Sequence, residues 1–193
     1  ERKIPIVTLG DGRGIEQQAK AATQQTALVP MAGDDTVVMV YTSGTTGRSK
    51  GAMLTYENLA SNVTALHKAW GWCHDDVLLH ALPVFHVHGL IVALHCALLG
   101  GSRILFQPRF ELTQLREALA QATVMMGVPT FYTRLLEDPD FGPADCRNMR
   151  LFISGSAPLL AETFERFASR TGYRILERYG MTEAGMITSN PLQ

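Results

Sequence analysis

One stretch, Val37 to Gly51, limits what this chain can fold into. It opens Val37-Val38-Met39-Val40-Tyr41, a β-branched and apolar run that reads as a buried strand. It then breaks into Thr42-Ser43-Gly44-Thr45-Thr46-Gly47-Arg48-Ser49-Lys50-Gly51. Glycines let the backbone bend and approach a ligand closely. Successive N–H groups in such a loop can converge on an anion. The hydroxyls of Thr42, Ser43, Thr45 and Thr46 add donors, and Arg48 and Lys50 add positive charge. This predicts a loop for polyphosphate, although no G-x-x-x-x-G-K-[ST] can be laid on it. A flexible Ser/Thr/Gly linker fits worse, because such linkers are not led in by an apolar strand.

The surrounding chain supports a folded domain. Its 193 residues suffice for a core, and a formal net charge of −1 argues against a nucleic-acid surface. Cys73, Cys96 and Cys146 lie far apart without a C-x-x-C, which fits a reducing compartment and a cytoplasmic location. The longest apolar stretch, Gly89 to Gly101, contains His95 and is too short to span a bilayer, so no membrane role is expected. No signal-peptide core follows Glu1-Arg2-Lys3. With no initiator Met, and with Asn190-Pro191-Leu192-Gln193 directly after a motif, the chain reads as an excerpt of a longer enzyme.

Residues 1–35 form a lead-in, with a short strand at Ile4–Leu9 and a turn at Gly10–Gly14. Residues 36–193 form the working region. A strand is expected at 36–42, and a helix follows Thr55, a natural N-cap with Asn58 where a capping box would want Glu or Gln. Leu59, Val63, Leu66 and Trp70 mark its buried stripe. Strands are expected at 77–82, 103–106, 124–130, 151–153 and 175–177. Helices are expected at about 89–99, 112–122, 131–136 and 159–170. The alternation predicts an α/β fold, a largely parallel sheet with helices on both faces. Ligands gather outside the carboxyl ends of such strands, where every motif here falls.

Those motifs resemble the AMP-forming, adenylate-forming superfamily of acyl- and aryl-CoA synthetases, luciferases and peptide-synthetase adenylation domains. The resemblance rests on Tyr41 to Gly51, with Ser49 where proline is more usual, and on Glu177-Arg178-Tyr179-Gly180-Met181-Thr182-Glu183. It covers about residues 36–191 and implies part of the N-terminal domain of such an enzyme. It further implies that Ser43, Gly44, Thr45, Thr46, Gly47 and Lys50 hold phosphates. Tyr179 would stack on adenine beside Glu177 and Gly180, and Thr182 would bond the α-phosphate. Glu183, with Thr42, would hold Mg²⁺, and Gly155-Ser156-Ala157-Pro158 would form the adenine-side loop. Lys50, Thr182 and Glu183 are the expected catalytic residues. An aromatic face suits a purine and a carboxylate suits a hard cation, so the residue types agree.

By the same resemblance, His86 of Pro83-Val84-Phe85-His86-Val87-His88-Gly89 lines the acid pocket together with Val128 of Gly127-Val128-Pro129-Thr130; Arg178 and Met181, on either side of Tyr179-Gly180, are further candidates for that pocket by their position. His88 reads as a helix-start histidine with no role in chemistry, and His67, His74 and His80 as packed or surface histidines. The implied reaction is ATP-dependent activation of a small carboxylic acid to acyl-AMP, then transfer to a thiol such as CoA. At finer grain, Glu177 to Pro191 and Leu82 to Leu90 resemble malonyl-CoA synthetases, though Ala184 stands where threonine is commoner. A dicarboxylate brings a second, unreacted carboxylate that is costly to bury unpaired. Arg178 offers it a bidentate fork, or else pairs with Glu177 or Glu183. Two other readings are an aryl-CoA ligase or peptide-synthetase adenylation domain, and a non-catalytic nucleotide-binding module. A later ribose-binding Asp, a hinge and a C-terminal domain with the catalytic lysine are not found, so the excerpt is expected to be inactive by itself.

Overall fold

A computed structural model describes residue 20 and residues 30–42 and 49–192. The chain divides into two compact units, Glu1–Met31 and Ala32–Gln193, and the second carries every element below. The expected strand at Ile4–Leu9, the turn at Gly10–Gly14 and the loop Ser43–Arg48 lie outside the described residues.

β1 (Thr36–Thr42) does not join a parallel sheet. It pairs antiparallel with β2 (Lys50–Thr55), Val40 opposite Ala52 and Thr42 opposite Lys50, in a separate two-stranded sheet. Gly51-Ala52-Met53-Leu54 carries no β-branched residue, so β2 owes its strand form to its partner and has no sequence signal of its own. The buried-strand reading of β1 is corrected too. Val38 and Val40 pack toward the core, while Val37, Met39 and Tyr41 on the alternate face are exposed.

α1 (Tyr56–Ala69) follows at once. Thr55 Oγ1 accepts the Asn58 N–H at 3.2 Å, and Asn58 Oδ1 accepts the Thr55 N–H at 3.1 Å. Asn58 thus completes a capping box despite being a methylene shorter than Gln. Val63, Leu66 and Trp70 are buried beneath the helix, as their spacing requires.

The main sheet contains β3 (Val77–His80), β4 (Arg103–Phe106), β5 (Val124–Gly127), β6 (Leu151–Ser154), β7 (Ile175–Met181) and β8 (Gly185–Ser189). Its order is β4-β3-β5-β6-β7-β8, parallel except for β8, which pairs antiparallel with β7. Parallel neighbours need crossovers, and crossovers are right-handed. The chain steps one way from β3 to β4, then the other way through β5, β6 and β7. A π-helical turn (His88–Ala93) running into α2 (Leu94–Gly100) therefore covers one face. α3 (Leu112–Leu119), α4 (Pro129–Glu137) and α5 (Ala161–Thr171) cover the other. The expected sheet with helices on both faces is the observed one, and its reversal leaves a crevice outside the ends of β3 and β5. The last strand runs on to Met181, past the expected break at Arg178, because β8 returns to pair with it.

Tyr132, Phe152 and Phe167 form an edge-to-face cluster under α4 and α5, with the Phe152 and Phe167 centroids 4.9 Å apart. The buried Tyr132 hydroxyl donates to the Ile153 carbonyl at 2.6 Å. At the amino ends of the strands, Asp76 is 2% exposed and ties three chain segments together. It accepts two bonds from the Arg150 guanidinium, one from the Thr123 hydroxyl and one from the Cys73 N–H. Burial alone would raise the Asp76 pKa, but Arg150 and the other donors outweigh it and hold the carboxyl below its ordinary range. Stability from this depressed group is present above the ordinary carboxylate pKa and is lost as pH falls through the folded-state value. Asp76→Asn should cost about 3 kcal/mol and flatten the acid limb of the stability profile, as read by denaturant unfolding across pH.

Candidate active site

The loops at the carboxyl ends of β3, β6 and β7 enclose a cavity of about 260 Å³. His86, Val87 and His88 come from the first loop and Ser156 from the second. Arg178, Gly180 and Met181 come from β7, Thr182 and Glu183 from the β7–β8 turn, and Met186 from β8.

Because Arg178 lies within β7, strand alternation fixes its direction. It points to the same face as Leu176, which pairs with Ile153, while Tyr179 on the other face is 61% exposed. Arg178 is 5% exposed, and its Nε and one terminal nitrogen have no hydrogen-bond partner among the described residues. The described ion pairs do not include it. Glu177 instead accepts the Leu159 N–H at 3.2 Å and so steadies the loop 155–158. Burial pushes the Arg178 pKa down to about 10, which still leaves a cation at neutral pH.

Gly155 is what makes room for this cation. A Cβ there would overlap the Arg178 guanidinium. The next residue, Ser156, holds a left-handed backbone at φ 69°, uncommon for a residue with a side chain. Its hydroxyl lies 3.2 Å from His88 Nδ1.

His88 shows what sequence reasoning missed. It is 2% exposed in the π-helical turn, its N–H donates to His86 Nδ1 at 3.1 Å, and its Nε2 has no partner among the described residues. Burial pushes its pKa well below the ordinary value, with Arg178, His86 and His80 adding repulsion, so the ring is neutral. The spacing His86-x-His88 was the available signal, but reading His88 as a helix-start residue without a role left its burial unnoticed.

The other expected residues are dispersed. Glu183 lines the cavity and also an adjoining one of about 170 Å³, shared with Leu54, Asn58 and Asn62. Lys50 stands exposed opposite Thr42 on the hairpin, and the Thr42 hydroxyl donates to the Lys50 carbonyl at 3.4 Å. Ala157 and Pro158 are exposed. Val128 caps α4 and does not line the cavity around Arg178. Ser43, Gly44, Thr45, Thr46 and Gly47 lie outside the described residues.

A match to the AMP-binding enzyme family runs over residues 2–193. The chain belongs to that family. It is 45% identical over 82% of its length to the mitochondrial malonate–CoA ligase of Mus musculus, and 41% identical over 83% to the malonate–CoA ligase of Arabidopsis thaliana. It covers 30% of each. Among solved structures, ATP-bound MatB from Rhodopseudomonas palustris superposes with a TM-score of 0.89 at 51% identity, over 94% of this chain and 36% of that one. A malonyl-CoA ligase ternary product complex with methylmalonyl-CoA and AMP bound gives 0.82 at 41% identity, over 89% of this chain and 38% of that one. This AMP-binding enzyme chain thus spans about a third of the length of the relatives it matches.

The Gly155–Arg178 contact can be measured by itself. Gly155→Ala should destabilise by about 1–3 kcal/mol through overpacking, and this cost should largely vanish in an Arg178→Ala background. Denaturant unfolding of the four members of that cycle gives the coupling.

Proposed function

We propose that this chain is the nucleotide- and acid-binding portion of an AMP-forming acid–CoA ligase, with malonate or methylmalonate as the acid. The observation that carries the reading is the buried guanidinium of Arg178, which faces a small cavity without a partner among the described residues. A desolvated cation is costly unless an anion meets it. The unreacted carboxylate of a dicarboxylic acid is an anion of the right shape for a bidentate fork. Neutral His88 beside it adds a polar contact without competing charge.

The reacting carboxylate would then lie toward Thr182 and Glu183 on the cavity rim. Its oxygen attacks the α-phosphorus of ATP, forming acyl-AMP and releasing pyrophosphate. The thiolate of CoA then attacks the acyl carbon and AMP leaves. Bringing an anion onto a polyanion is repulsive, so donors must offset charge as the bond forms. Lys50 and the hairpin loop would hold the departing pyrophosphate, Thr182 the α-phosphate, and exposed Tyr179 the adenine face, with the 155–158 loop alongside. The described residues contain no cluster of three or more metal-binding side chains. A lone carboxylate, Glu183, with the Thr42 hydroxyl fits Mg²⁺, which takes few protein ligands and keeps phosphate and water oxygens. When bound, Mg²⁺ would neutralise phosphate charge.

The test is a panel of carboxylic acids in pyrophosphate exchange with the full-length enzyme. Malonate and methylmalonate should lead, and preference for a monocarboxylic aryl acid would reject the reading. Arg178→Met should lower kcat/KM for malonate by about 100-fold, the effect of losing charged hydrogen bonds worth about 1.5–3 kcal/mol. The same variant should melt at a higher temperature than the wild type without ligand, because an unpartnered buried charge is removed. Lys50→Ala and Glu183→Gln should each lower turnover, and unchanged turnover in both would point to a non-catalytic nucleotide-binding module.

A further inference from the structure

Two elements of the proposed site are far apart in sequence yet joined by one side chain. β8 is the edge strand of the main sheet. In antiparallel pairing, alternate residues turn both backbone groups away from the partner strand, and on an edge these need another partner. At Met186 that partner is the carboxamide of Asn62 on α1. Asn62 Nδ2 donates to the Met186 carbonyl at 2.8 Å, and the Met186 N–H donates to Asn62 Oδ1 at 3.0 Å. One amide side chain thus stands in for one residue of a further strand.

The packing around this bond is close. Gly185 has φ +66°, and a Cβ there would lie 2.8 Å from Asn62 Oδ1. Three residues further along β8, the Ser189 hydroxyl accepts the Trp70 indole N–H at 2.9 Å, so α1 grips the strand at two points. α1 begins directly at the end of β2, and β8 begins directly after the turn that carries Thr182 and Glu183. The helix therefore links the hairpin bearing Lys50 to the hairpin bearing Glu183.

We propose that Asn62 is a positioning residue for the nucleotide. By holding Met186 through both backbone groups, it sets the β7–β8 turn, and with it Thr182 and Glu183, at a fixed separation from the β1–β2 hairpin. This rests on the reading that those two residues meet ATP and its metal. Asn62 acts through Met186, and it lines the adjoining cavity of about 170 Å³ together with Glu183.

The experiment is steady-state kinetics of Asn62→Ala and Asn62→Asp in the full-length enzyme, with MgATP and malonate varied separately. Asn62→Ala leaves both Met186 groups unpaired. Asn62→Asp keeps the acceptor for the N–H but sets a carboxylate against the carbonyl. Both should lower kcat/KM for MgATP by about 10- to 100-fold while the KM for malonate changes little, the mark of misplaced phosphate ligands with an intact acid pocket. Should Asn62→Ala not fold, Asn62→Asp, which keeps the acceptor for the Met186 N–H, should give the same split. A folded variant whose MgATP kinetics stay within about 3-fold of wild type, or whose malonate KM rises in step with that for MgATP, overturns the proposal. Glu183→Gln is the control: if it too leaves MgATP use intact, the underlying assignment of the turn fails. If it impairs MgATP use and Asn62→Ala does not, only the inference about Asn62 fails.

Discussion

Parallel strand pairing is the constraint on which the rest depends. A parallel neighbour cannot be reached by a tight turn, so each connection must return across a face of the sheet. All the loops that leave the carboxyl ends then stand together on one rim, and reversing the direction of travel after β4 opens a crevice there. The opposite rim is free to be structural. Asp76, Thr123 and Arg150 fill it, each placed directly before a strand and joined in one buried hydrogen-bonded group. The buried ionic group thus sits at one end of the strands and the cavity-forming loops at the other.

The rim at the carboxyl ends of the strands buries polar groups of Arg178, His88, His80 and Ser154 that lack partners among the described residues. Such groups oppose folding unless something fills the space beside them. Arg178 stays in place because β7 aims it inward, Gly155 leaves room for its guanidinium, and Ser156 accepts a left-handed backbone at the adjoining turn. On the proposed reading such a pocket would discriminate sharply: an acid lacking the second carboxylate would leave the cation unmet, and one possessing it would supply the missing bonds.

Much of this was legible in the chain. Thr55 and Gly172 begin and end helices as their chemistry dictates, one as an N-cap and one as a left-handed C-cap. The strands at 103–106 and 151–154 follow from short apolar runs bounded by turn residues. Less legible was β2, whose composition favours no strand and which pairs only because β1 lies beside it. The extension of β7 to Met181 was hidden for the same reason, since Arg178-Tyr179-Gly180-Met181 reads as a turn until β8 supplies its partner. His88 was set aside because burial is a property of what packs around a residue, and nothing local to Val87-His88-Gly89 records it.

By itself the sequence determined the alternation of strands and helices and the parallel sheet, and it carries the Thr42–Gly51 and Tyr179–Glu183 motifs on which the family resemblance rests. Each of these is written in residues adjacent along the chain, as periodicity, capping or a contiguous motif. Tertiary structure alone decided that Arg178 has no partner for its Nε among the described residues and faces a cavity, that His88 is buried beside it, and that Asn62 holds the strand that follows Glu183. Those facts join residues tens of positions apart, and only the packing of the sheet brings them within reach of one another.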